Sequence, residues 1–155
     1  MFELQRLSYA PITRIHVEAG SYRDHDLTDD LAKILRQMHA DRAGGVRTVS
    51  VLDLTRARPL NAMQRKHLLA WLKEFDSLVP LVSLGTAFIA PSALLRGVLT
   101  AMFWIRPYPV EQAVVSDMDE AMHWVVQRLE SSGIAVPARL RQELGRAFAP
   151  AAREI

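Results

Sequence analysis

Hydrophobic positions along the chain switch between a period of two and a period near 3.6, and the switches lay out strands and helices in alternation. Phe2–Leu7 and Ile12–Val17 read as two short strands around Tyr9-Ala10-Pro11, an antiparallel hairpin. In the second, Ile12, Arg14 and His16 alternate with Thr13, Ile15 and Val17. A helix is predicted from Asp29 to Asp41, with Thr28 as N-cap and Asp29 and Asp30 at the positive end of its dipole. Leu27, Leu31, Ile34, Leu35 and Met38 form its inner face, and Gly44-Gly45 ends it.

Val46–Leu54 is nearly continuous in apolar residues, as in a strand covered on both faces. Asn61 and Gln64 have capping-box spacing and open the next helix, whose inner stripe is Leu68, Leu72, Phe75 and Val79, with Trp71 at its margin. A strand over Leu81–Ala90 and a helix over Pro91–Phe103 follow; Trp104–Pro109 should break that helix, because Pro107 and Pro109 cannot continue it. Gln112–Ser116 is a short strand. Asp117 and Glu120 form a second capping box. Met118, Ala121, Met122, Val125 and Leu129 face inward on the helix they open, and Gly133 stops it. A last amphipathic helix spans Pro137–Phe148, and the final seven residues are expected to fray. The alternation predicts an α/β fold: a mixed, largely parallel sheet of four or five strands around Val46–Leu54, with an N-terminal hairpin at one edge and packed helices. Residues 1–133 form the domain; 134–155 add a C-terminal helix and tail.

Composition narrows the function classes. The 155 residues are half apolar and 23% charged, which describes a folded chain with a core. Nineteen Lys and Arg against seventeen Asp and Glu leave a net charge of +2, too small for a dedicated nucleic-acid binder. The absence of Cys removes disulfides, thiolate metal sites and Cys nucleophiles, and fits a cytoplasmic protein. The N-terminus lacks the apolar core of a secretory signal. Between Asp76 and Arg96 lie nineteen uncharged residues, nearly a membrane span in length. Pro80, Gly85 and Pro91 punctuate them, so they read as a buried strand feeding a buried helix.

The segment from Val46 to Leu129 also carries a resemblance. Leu52-Asp53-Leu54-Thr55 ends a strand. Ala87-Phe88-Ile89-Ala90-Pro91 ends the next, Arg96-Gly97 lies on the helix after it, and Asp117-Met118-Asp119-Glu120-Ala121-Met122-His123-Trp124 opens a later one. This order resembles SpoIIAA-like proteins of the STAS fold, in their bacterial STAS/SEC14-like branch. The resemblance implies a regulatory domain that binds partners or small ligands and is not an enzyme. Family members that antagonise anti-sigma factors carry a phosphorylated Ser where the next helix opens. Here that stretch aligns with Asn61-Ala62-Met63-Gln64, which has no hydroxyl, so the resemblance implies a member without the phosphoswitch.

Candidate chemistry is sparse. His16, His25, His39, His67 and His123 show no metal-ligand spacing. Asp24, Asp26, Asp29 and Asp30 surround His25 without EF-hand spacing and read as a solvated loop with helix-start acids. No phosphate loop, dinucleotide fingerprint or Gly-x-Ser-x-Gly elbow is present, so no metal, cofactor or catalytic residue is expected.

Two features remain. Arg56, Arg58, Arg65 and Lys66 lie close together without an acid, beside the helix start at Asn61. With Thr55 they could hold a small anionic or lipid-like ligand beyond the carboxyl end of the central strand; otherwise the loop is simply solvated. The helix over Pro91–Phe103 is apolar nearly all round, with Arg96, Thr100 and Phe103 on one side and Trp104 and Tyr108 beyond. That excess predicts contact with a protein partner or a second copy, unless the C-terminal helix folds back over it. An interaction domain and a ligand carrier are thus the two readings.

Overall fold

The computed structural model describes residues 2–17 and 24–147. The strands are β1 (Phe2–Arg6), β2 (Ile12–Val17), β3 (Thr48–Asp53), β4 (Ser83–Ile89) and β5 (Gln112–Val115). They lie side by side in chain order, with β1 antiparallel to β2 and every later neighbour parallel. The helices are α1 (Asp24–Ala43), α2 (Ala62–Val82), α3 (Ala93–Ile105), α4 (Met118–Ser131) and α5 (Ala138–Ala147). The expected mixed sheet, with its hairpin at one edge and β3 at its centre, is the sheet found.

One face of the sheet packs against α4 and α5. Val49, Val51, Ala87 and Ile89 meet Ala121, Met122, Val125, Leu129 and Leu140 in a single cluster. Full burial of side chains such as Val125 and Leu129 stabilises by about 1.5–3 kcal/mol each. α5 is tied to this cluster through Leu140 and through Tyr9 Oη, which donates to Glu143 at 2.6 Å. On the other face the buried residues split in two. Ile34, Met38, Leu78, Val79 and Val82 join α1 to α2, whereas Phe88, Ala90 and Leu99 seat α3.

Several boundaries differ from the sequence pattern, each for an identifiable reason. α1 starts at Asp24, so Thr28 lies inside it and is not its cap. Leu27 is fully buried, and its place on the inner stripe requires that turn to be helical. Asp30 is buried too, paired with Lys33 at 3.3 Å, unlike the solvated helix-start acid expected. The side chains of Asp24 and His25 lie outside the described residues.

Val46 is not in the sheet. Its N–H bonds Asp41 O and that of Gly45 bonds Arg42 O, with Gly45 at φ 64, so it completes the motif that ends α1. α2 runs through Pro80 to Val82, and β4 begins at Ser83 rather than Leu81. Pro80 removes one N–H, but Val82 is buried against α1 and the Ser83 N–H closes on Val79 O. α3 includes Trp104 and Ile105. It stops at Arg106 because the residue before a proline is pushed out of the helical region.

β4 carries a bulge. Thr48 pairs with Ser83, but Val49 pairs with Gly85, which leaves Leu84 as the extra residue. Leu84 therefore joins Ala87 and Ile89 in the α4-side cluster, while Ser83, Thr86 and Phe88 face α1–α3. Gly85 sits beneath Trp124 of α4, where a Cβ would come within 2.8 Å of the indole. No helix among the described residues is long and apolar enough to cross a membrane. The final seven residues, expected to fray, lie outside the described residues.

Candidate functional site

The two half-clusters on the α1–α3 face enclose a gap. It is an apolar cavity of about 320 Å³, within the roughly 300–1,000 Å³ range of small-molecule sites. Leu52, Leu54 and Phe88 form part of its floor, Leu68, Leu72 and Phe75 its α2 wall, and Leu99 and Phe103 its α3 wall. The gap exists because α1 and α2 pack on each other, pinned by the Trp71 indole N–H on Leu31 O at 2.9 Å. α3 packs separately, over Phe88 and Val114. Met102, Arg106 and Pro107 line the cavity yet are exposed, and so mark its mouth.

Tyr108 closes one side. Its ring lies 5.3 Å from Phe88 and 5.6 Å from Phe103, both edge-on, and its hydroxyl is 3.2 Å from Thr86 Oγ1. Burial pushes its phenol up to about 12; the Thr86 hydrogen bond opposes this and the Asp76 carboxylate adds to it.

The outer face of α3 is different. Leu94, Trp104 and Ile105 are 80%, 84% and 87% exposed, with Val98 and Met102 about half exposed. Of the five residues expected at an interface, Trp104 and Thr100 are exposed. Arg96 is turned back, donating from Nη1 to Ala90 O and Pro91 O at 2.9 Å each. Phe103 and Tyr108 point into the core cluster. The apolar face thus runs along Leu94, Val98, Ala101 and Ile105, opposite the side that carries Phe103. α5 does not cover it, because α5 packs on the α4 side of the sheet.

The basic loop is largely committed to its own structure. Asp53 Oδ1 accepts the Thr55 N–H at 2.9 Å. Asn61 and Gln64 close the capping box with reciprocal bonds of 2.8 and 3.0 Å. Arg65 Nη1 donates to Leu60 O at 2.6 Å, and Arg56 and Arg58 are exposed.

Sequence reasoning did not find the His16–Asp53 pair, Nδ1 to Oδ2 at 3.1 Å, at the carboxyl ends of β2 and β3. Burial alone would raise the Asp53 carboxyl, but hydrogen bonds from Thr55 and His16 outweigh it and hold it below the ordinary range. No hydroxyl nucleophile is bonded to His16 among the described residues. No three His, Asp or Glu side chains converge to hold a metal there either.

No family model matches the chain. No curated protein matches it either. Among solved structures it is similar to the Bacillus cell fate determinant SpoIIAA in its phosphorylated form, with 17% identity and a TM-score of 0.48, covering 81% of this chain and 99% of that one. The architecture expected from the sequence, a largely parallel mixed sheet with an N-terminal hairpin and packed helices, is the one these elements form.

Proposed function

We propose that this chain is a non-enzymatic, cytoplasmic regulatory domain that acts by protein contact through the outer face of α3, its first partner being a second copy of itself. The exposed row of Leu94, Val98, Trp104 and Ile105 carries the reading. Several large apolar side chains together on a monomer's surface commonly mark an interaction site. The face also suits a two-fold contact, in which each residue meets its own image or a near neighbour. Arg96 is the one charge on α3 and is turned back to the helix start, so no like charges would be brought together. Regulation in this reading does not use phosphorylation where α2 opens: between Leu54 and Lys66 the sole hydroxyl is that of Thr55.

The test is the mass of the full chain by light scattering across a concentration series. A dimer is expected, converted to a folded monomer by Trp104→Glu, since Trp104 touches little of its own chain. Phe103→Glu should instead unfold the protein, because that ring packs on Phe88 at 5.0 Å. A wild-type chain that stays monomeric at high concentration overturns self-association.

A further inference from the structure

The cavity beneath α3 has a chemistry of its own, independent of the helix's outer face. A void of about 320 Å³ is far larger than the gaps a close-packed interior leaves, and an apolar void of that kind is a site for an apolar solute. Its lining is not uniform. Toward the carboxyl ends of the strands it is purely hydrophobic: Leu52, Leu54, Phe88 and Leu99. Toward their amino ends the floor is hydroxylic. Thr13, Ser50 and Thr86 stand in register across three strands, with Thr48 and Ser83 paired in the next row.

Most of these hydroxyls are occupied. Thr13 bonds Thr48 at 3.4 Å, Thr86 bonds Tyr108, and Ser83 bonds the Gly85 backbone. The Ser50 hydroxyl makes no hydrogen bond among the described residues. It is half-buried although it lies on the central strand, because what exposes it is the cavity.

The charges around the cavity are cancelled in pairs. Asp41 takes both Arg6 terminal nitrogens, at 2.7 and 2.5 Å, and Gln37 at 2.8 Å. Asp76 is paired with Arg106. Among the described residues no lining cation is left over to receive a carboxylate or phosphate, and burying either without one is costly.

We propose that this cavity binds an uncharged long-chain amphiphile, an alcohol or its ester, with the chain against Leu52, Leu54, Phe88 and Leu99 and the oxygen on Ser50. A hydroxyl or carbonyl satisfies Ser50 without needing a counter-ion. Dodecanol, dodecanoate and dodecane, each used to displace an apolar fluorescent dye from the purified full chain, separate the possibilities. Dodecanol should bind at least about tenfold more tightly than dodecanoate at neutral pH, because the carboxylate would be buried unpaired. Ser50→Ala should weaken dodecanol relative to dodecane by roughly tenfold.

Met102→Trp, at a mouth residue exposed enough to tolerate it, should weaken all three ligands. Leu99→Trp should do the same if it folds, as judged by circular dichroism. Trp104→Glu should leave binding unchanged, which separates the cavity from adsorption on the outer face of α3. Dodecanoate binding as well as dodecanol, a Ser50→Ala variant with an unchanged dodecanol-to-dodecane affinity ratio, Met102→Trp binding normally, or no binding of any of the three overturns the proposal.

Discussion

Raising the pH should destabilise this protein through Tyr108, by an amount the structure sets. Its phenol is buried between Phe75, Phe88 and Phe103 and held to Thr86, and burial lifts its pKa to about 12. An unfolded tyrosine titrates near 10. Between those two values the folded state keeps a proton that the unfolded state has released, so stability falls as pH rises. The contribution is fully present below about pH 10 and lost by about pH 12. Two units at about 1.4 kcal/mol each give a loss on the order of 3 kcal/mol. Tyr108→Phe supplies the control. It removes the hydrogen bond to Thr86, a pH-independent cost of about 1 kcal/mol, and with it the titration. Urea unfolding of both proteins, at about pH 9 and about pH 11.5, should show the wild-type chain losing roughly 2 kcal/mol more than the variant across that interval. Tyrosinate absorbance should show one phenol that ionises about two pH units later in the folded protein than in the unfolded chain. Parallel pH profiles for the two proteins would refute the argument.

Gly85→Ala should destabilise the fold by about 1–3 kcal/mol, since the new Cβ meets Trp124 at 2.8 Å and Glu111 O at 3.0 Å; an unchanged melting temperature would show that the bulge relaxes freely. Arg56→Ala with Arg58→Ala should leave the unliganded melting temperature nearly unchanged, as exposed charges contribute about 0–1 kcal/mol each, and should abolish any stabilisation by inorganic phosphate. If phosphate and other anions fail to stabilise the wild-type chain, the loop after β3 is a solvated turn.

What was legible in the sequence is what nearby residues settle among themselves. Asn61 and Asp117 both cap a helix as read; the Asn61–Gln64 box closes reciprocally, whereas Glu120 reaches past the cap to the Ser116 N–H, so the second pair is a cap without the full box. Gly45 and Gly133 end α1 and α4 through bonds that reach back no further than five residues. Periodicity then placed the inner faces of α1 and α4, and alternation placed the five strands around β3. The excess of apolar residues on α3 was visible for the same reason, as a count around one helix.

The tertiary structure decided everything that depends on which side of an element meets a distant part of the chain. Simple alternation puts Leu84, Thr86 and Phe88 on one face of β4. The bulge at Leu84 breaks that alternation, and Trp124, thirty-nine residues after Gly85, packs over it. Helical spacing put Arg96 and Phe103 together, but could not say that this side is the inward one; the rings of Phe88 and Tyr108 did. Arg6–Asp41 and His16–Asp53 join residues 35 and 37 apart. The cavity needed the most from the fold, drawing its walls from residues between Leu4 and Pro109. It exists because α1 and α2 pack as a pair while α3 packs alone, and no local pattern encodes the space left between them.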